Sequence, residues 1–122
     1  MVVATNAAGK EVWQRWTPER VSELLAQGKP VFVDFTAAWC VSCQANKRLV
    51  LARADITSDF AGKEVVLLRA DWTNRDERIT RVLNELGRTG VPAYALYAPG
   101  RPVQLLPELL TTAAVREAIS TL

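Results

Sequence analysis

There is no histidine in the 122 residues, and there are only two cysteines, Cys40 and Cys43. A zinc site draws about four ligands from Cys, His and acidic side chains. For a metal this chain therefore leaves only a site or cluster shared between subunits. Covalent haem attachment needs Cys-x-x-Cys-His, and position 44 is Gln. Charge of one sign is also scarce. The net charge is +2, with bases interleaved among acids, too weak a bias to imply a nucleic acid or an anionic membrane as partner. No apolar run approaches the roughly 18 residues of a membrane span. The start, "MVVATNAAGKEVW", lacks the basic region and long apolar core of a signal peptide. For a protein working outside the cytoplasm, the chain would then be a piece of something longer. Internal repeats and low-complexity linkers are absent too. What remains is one domain over residues 12–122, behind a lead-in over 1–11, large enough to bury its own core. A compact domain of this size is expected to be a monomer.

The residues present predict alternating strands and helices. "EVWQRW" is a short strand, with Trp13 and Trp16 in or near the core. Thr17 is suited to cap a helix and Pro18 to its first position. Val21, Leu24 and Leu25 give that helix an apolar stripe, which Gly28 and Pro30 end. "PVFVDF" (30–35) and "EVVLLRAD" (64–71) are near-continuous apolar runs of the kind buried on both faces of a sheet. Between them one helix is expected from Val41 to about Ala54. Thr73 or Asn74 is expected to cap a further helix lined by Ile79, Val82, Leu83 and Leu86 and stopped by Gly87. "AYALY" (93–97), a turn at Pro99-Gly100, an edge strand over 102–106 and a helix over 112–121 complete the chain. The order β-α-β-α-β-α-β-β-α implies parallel pairing early and an antiparallel hairpin late. The fold class is α/β, with a central mixed sheet flanked by helices on both faces.

Cys40 and Cys43 follow a buried strand and open a helix. Residues three apart share a helix face about 5–6 Å apart, within the Cα range of a disulfide. The pair can therefore open and close with little backbone motion. Free N–H groups and the positive end of the helix dipole favour a thiolate at Cys40, while Cys43 lies one turn inside. This divides the roles into an attacking Cys40 and a resolving Cys43. A purely structural disulfide closing so short a loop would remove little entropy from the unfolded chain.

"VFVDFTAAWCVSCQANK" resembles the active-site segment of the thioredoxin superfamily: a strand, Asp six residues before the first Cys, Trp immediately before it, Cys-x-x-Cys, then helix. "LGRTGVPAYALY" is similar to the loop and strand that carry that family's cis-proline, here Pro92 after Val91. The resemblance covers residues 12–122 and implies a thioredoxin-like fold. Val41-Ser42 differs from the Gly-Pro of thioredoxin itself. "WCVSC", "ADWTNRD" and "GVPAYALYAP" look most like the C-terminal periplasmic domain of the DsbD type of thiol:disulfide interchange protein.

That resemblance implies a protein-disulfide reductase whose only redox group is its Cys pair, with no cofactor or metal. It implies partners that are protein thiols and disulfides. These are the transmembrane domain that supplies electrons and the N-terminal periplasmic domain that receives them, both belonging to the same full-length protein. It implies a location at the periplasmic face of the inner membrane. It puts Asp34 behind the Cys pair, moving protons to or from Cys43; the alternative is an Asp paired with Lys47 or another base. It makes Pro92 cis, holding the Val91 backbone beside Cys40 for a partner strand. Trp39, Val41 and Ser42 would form the docking rim, with Trp72 a further contact if exposed and a packing residue if not. Lys47 departs from the pattern, since an acid holds that helical turn in DsbD-type domains. It is expected on a solvated helix surface, and would favour the thiolate if it faced the site. Arg75, Arg78 and Arg81 are expected on a solvated helix face. The rivals are a free-standing reductase or oxidant, and a non-catalytic module with an inert disulfide, in which the Cys40 sulfur would be buried and unreactive.

Overall fold

The computed structural model describes residues 12–122; the expected lead-in, residues 1–11, lies outside them. Its architecture follows from β2 (Val31–Thr36), buried at every residue. β2 pairs in parallel with β3 (Val66–Asp71) and antiparallel with β4 (Ala93–Tyr97). The flanking strands are β1 (Trp13–Arg15) and β5 (Gln104–Leu106), giving the order β1-β3-β2-β4-β5. Helices cover both faces, which is why the central strands read as unbroken apolar runs rather than alternating ones.

One face of the sheet presents Val31, Val33, Phe35 and Leu68 to α1 (Pro18–Ala26) and α4 (Glu77–Glu85). The other presents Phe32, Leu67, Tyr94 and Leu96. Against it lie α2 (Val41–Asn46) with its π-helical continuation Lys47–Leu51, then α3 (Ala54–Gly62) and α5 (Thr112–Ser120). Phe32 centres that layer, with ring centroids 5.0 Å from Phe60 and 6.2 Å from both Trp13 and Tyr94. Phe32→Ala is expected to cost about 3–5 kcal/mol. A lowered urea midpoint at unchanged slope would report that loss.

Local signals hold where they are short-range. Thr17 caps α1, its Oγ1 accepting from Arg20 N at 3.0 Å, with Pro18 in the first turn. Gly28 and Gly87 follow α1 and α4, and Gly100 sits in the β4–β5 turn, all at positive φ, where a Cβ would strain the backbone. Trp13 and Trp16 are buried. β4–β5 is the expected antiparallel hairpin, with β5 at the edge.

Four expectations are corrected. The single helix over 41–54 is instead α2 and its π-turn, ending at Leu51; Arg53 is extended, and a new helix, α3, follows. Only Ile56 and Phe60 of α3 are buried, among Asp55, Thr57, Ser58 and Asp59, and no side chain caps it. Its apolar periodicity and intrinsic propensity are thus weak, and packing makes the helix. The cap of α4 is Asp76, whose Oδ1 accepts from Arg78 N at 2.8 Å and Ile79 N at 3.3 Å. Thr73 and Asn74 are consumed by a turn in which Arg75 N donates to Trp72 O and Arg75 takes φ 53°. Arg75 therefore precedes the helix instead of lining it. β5 begins at Gln104, not at residue 102.

Candidate dithiol site at the end of β2

β2 delivers the chain to a short loop, 37–40, from which α2 leaves. Cys40 is the N-cap residue in extended conformation, and Cys43 N donates to Cys40 Sγ at 3.2 Å. Gln44 Nε2 donates to Ala37 O at 2.9 Å, tying the helix to the loop. Ala38 N donates to Thr73 Oγ1 at 2.8 Å and Trp39 Nε1 to Thr73 O at 3.0 Å, tying the loop to the β3–α4 connection. The two cysteines are disulfide-bonded, with Cα atoms 5.2 Å apart. Cys40 is 7% exposed and Cys43 0%, so an incoming group meets Cys40. The Val91–Pro92 peptide is cis, and Val91 packs on the cluster of Ala37, Cys40 and Cys43.

Trp39 is 49% exposed and Trp72 6%. Their rings lie 5.9 Å apart, and the Arg75 guanidinium sits 5.1 Å from the Trp39 ring and 4.7 Å from the Trp72 ring. Trp72 Nε1 donates to Thr80 Oγ1 at 2.8 Å, which fixes the indole in the core. Trp72 is thus the buried support of Trp39, and its expectation as a direct docking contact is corrected to packing. Val41 and Ser42 are exposed beside Cys40. Arg78 is held by Glu19; Arg81 is exposed.

Beneath α2 a polar row crosses the sheet. In register across it stand Arg15, Arg69, Asp34 and Tyr94. Asp34 is 0% exposed, and Arg69 Nε donates to its Oδ2 at 3.1 Å. Its Oδ1 has no hydrogen-bond partner among the described residues. Arg69 also stacks on Trp13 at 4.3 Å. Tyr94 is tied upward to α2, accepting from Asn46 Nδ2 at 2.8 Å. Burial pushes the Asp34 carboxyl above its ordinary range, while the charges of Arg69 and Lys47 pull it back. Burial likewise dominates Tyr94 and raises it.

Lys47 is 3% exposed, not on a solvated surface as expected. The helix turns it toward Asp34, Arg69 and Asp71, whose charges it feels, and burial lowers its pKa. Thr36, Gln44, Lys47, Arg69 and Asp71 help line a cleft of about 870 Å³ beside the Cys loop. Sequence reading missed Arg69, Asn46 and Thr73. The available signal was Arg69 itself, a charge inside the apolar run of β3, whose other charged residue, Asp71, stands at its end. Among the described residues no group of three or more His, Cys, Asp or Glu could hold a metal ion. None of the described helices is long and apolar enough to cross a membrane.

A mixed sheet of this order, with a Cys-x-x-Cys pair at the mouth of a helix and a cis-proline beside it, defines a thiol–disulfide exchange domain whose redox group is its own cysteine pair. The chain belongs to the thioredoxin-like family, whose profile matches residues 12–99. It is 34% identical over 109 residues to the thiol:disulfide interchange protein DsbD of Ralstonia nicotianae, covering 84% of this chain and 18% of that protein. Crystal structures of the Neisseria meningitidis DsbD C-terminal domain are also similar. The oxidised form has a TM-score of 0.71 at 17% identity, covering 88% of this chain and 97% of that one. The reduced form has 0.67 at 20% identity, covering 82% and 87%. The chain thus spans less than a fifth of the curated relative's length.

Proposed function

We propose that this domain is a protein-disulfide reductase that relays electrons by dithiol–disulfide exchange. The observation that carries the reading is the asymmetry of the pair: Cys40 at the helix mouth keeps the only exposure, and Cys43 has none. In the reduced protein the Cys40 thiolate attacks one sulfur of a partner disulfide, forming a mixed disulfide and expelling the other sulfur as a thiolate, which takes up a proton. Cys43, losing its proton, then attacks Cys40 Sγ. The bond to the partner breaks, the second partner thiol is released, and the Cys40–Cys43 disulfide remains. Two electrons and two protons pass to the partner, and an upstream dithiol restores the pair by the reverse steps. The Cys43 N–H directed at Cys40 Sγ favours the thiolate form of the attacking sulfur. Asp34 serves as the proton acceptor and donor for Cys43.

The similarity to DsbD proteins supports a finer reading. The upstream dithiol is on a membrane-embedded domain, the downstream disulfide on an N-terminal periplasmic domain, and all three belong to one longer protein. This domain then works at the periplasmic face of the inner membrane. Trp39, Val41, Ser42 and the Val91–Pro92 backbone form the rim on which the partner segment lies, with Trp72 beneath Trp39.

The direction of electron flow is read by equilibrating the pair against glutathione or dithiothreitol buffers. A potential near the roughly −270 mV of thioredoxin is expected. A value near the roughly −120 mV of a strong oxidant would reverse the chemistry and overturn the reductase reading.

A further inference from the structure

Among the described residues, Lys47 is one of four buried polar or charged ones, with Asp34, Thr36 and Asn46. Burying an ammonium is costly unless an opposite charge compensates it, and an apolar side chain would fill the same space at lower cost. Its location gives it a use. Lys47 is four residues after Cys43, so the two side chains share one face of the helix. That helix packs over the polar row, where Asn46 reaches Tyr94 and Glu108 O. The charged and titratable groups around it are Asp34 on β2, Arg69 and Asp71 on β3, Tyr94 beside Asp34 on β4, and the exposed Arg15 in register with Arg69 on β1. Among these, Lys47 belongs to the same helical segment as the cysteines and also borders the cleft beside their loop.

We propose that Lys47 is a positioning residue of the redox step, its buried positive charge holding Asp34 as the carboxylate and stabilising the thiolate state of the cysteine pair. This rests on the dithiol-exchange reading above but not on the direction of electron flow. With Arg15, Arg69 and Lys47 set against Asp34 and Asp71, the region carries plus one before a thiol ionises. An added thiolate then brings the sum to zero. Without Lys47 the same step brings it to minus one, and the proton is held more tightly on Asp34 and on sulfur. The direction matches the pull of Lys47 on Asp34 against burial.

The test is the pH profile of iodoacetamide alkylation of Cys40 in the reduced chain, for wild type, Lys47→Gln, Lys47→Met and Lys47→Arg. Lys47→Gln and Lys47→Met should move the profile up by about 0.5–1 pH unit, a three- to tenfold slower reaction below the midpoint. Lys47→Arg, which keeps the charge, should retain the wild-type profile. Circular dichroism identifies variants that fold, and the polar and apolar replacements give two independent chances of a folded neutral variant. An unmoved profile in either neutral variant, or the same shift in Lys47→Arg, would overturn the proposal, since a merely structural lysine leaves the profile where it is. Because the measurement follows ionisation alone, it stands apart from the potential that tests the reductase reading.

Discussion

Cys40→Ser is expected to abolish disulfide exchange, by on the order of 10³-fold or more, whereas Cys43→Ala should leave the first attack intact and stop the second. The two variants then fail differently. With Cys43→Ala, a disulfide substrate accumulates as a covalent adduct on Cys40, seen as a mass increase that dithiothreitol removes. With Cys40→Ser no adduct forms at a comparable rate, because Cys43 is wholly enclosed and nucleophilic attack requires the sulfur to approach in line with the bond it breaks. Exposure alone sets this order, and the Cys43 N–H pointing at Cys40 Sγ reinforces it electrostatically. Adducts that build up on Cys43 in a Cys40→Ser protein would show that the roles are reversed.

Asp34→Asn should slow exchange by about 10²-fold, the usual worth of a positioned proton acceptor, while the protein stays folded. Asn retains an oxygen that can accept from Arg69 Nε, so the buried guanidinium keeps a hydrogen bond at a site where losing its partner outright would be costly. The same variant should flatten the dependence of stability on pH. Burial raises the Asp34 carboxyl above its ordinary value of 3.8, so the folded protein holds this proton more tightly than the unfolded chain does. The stability this contributes is complete below 3.8 and is lost as pH rises through the raised folded value. Melting temperatures from pH 4 to 9 should therefore fall less steeply in Asp34→Asn than in wild type. Equal exchange rates together with parallel melting curves would remove Asp34 from the mechanism.

Several features were legible because their causes lie close together in the chain. A Cys-x-x-Cys spacing fixes a Cα separation wherever a helix begins there, and 5.2 Å is what results. The Thr17 cap, the glycine stops and the β4–β5 hairpin depend on neighbours a few residues away. The apolar runs of β2 and β3 announced burial on both faces before any partner was known. Features that failed had causes elsewhere in the structure. α3 has only two buried side chains to mark it and becomes helical by packing against α5 and the π-turn. Whether Trp72 docks or packs turned on its exposure, and Thr80 and Trp39, distant or across a loop, hold it in place.

The sequence by itself determined the reactive pair, its attachment to a helix mouth and the α/β class, since each is a matter of spacing along one segment. The tertiary structure decided the electrical setting of that pair. Asp34, Lys47 and Arg69 come from β2, the helical segment after Cys43 and β3. They meet only when β2 and β3 pair in register and the helix closes over them. A charge's effect depends on its distance and on the water removed around it, and neither quantity exists until the chain has folded.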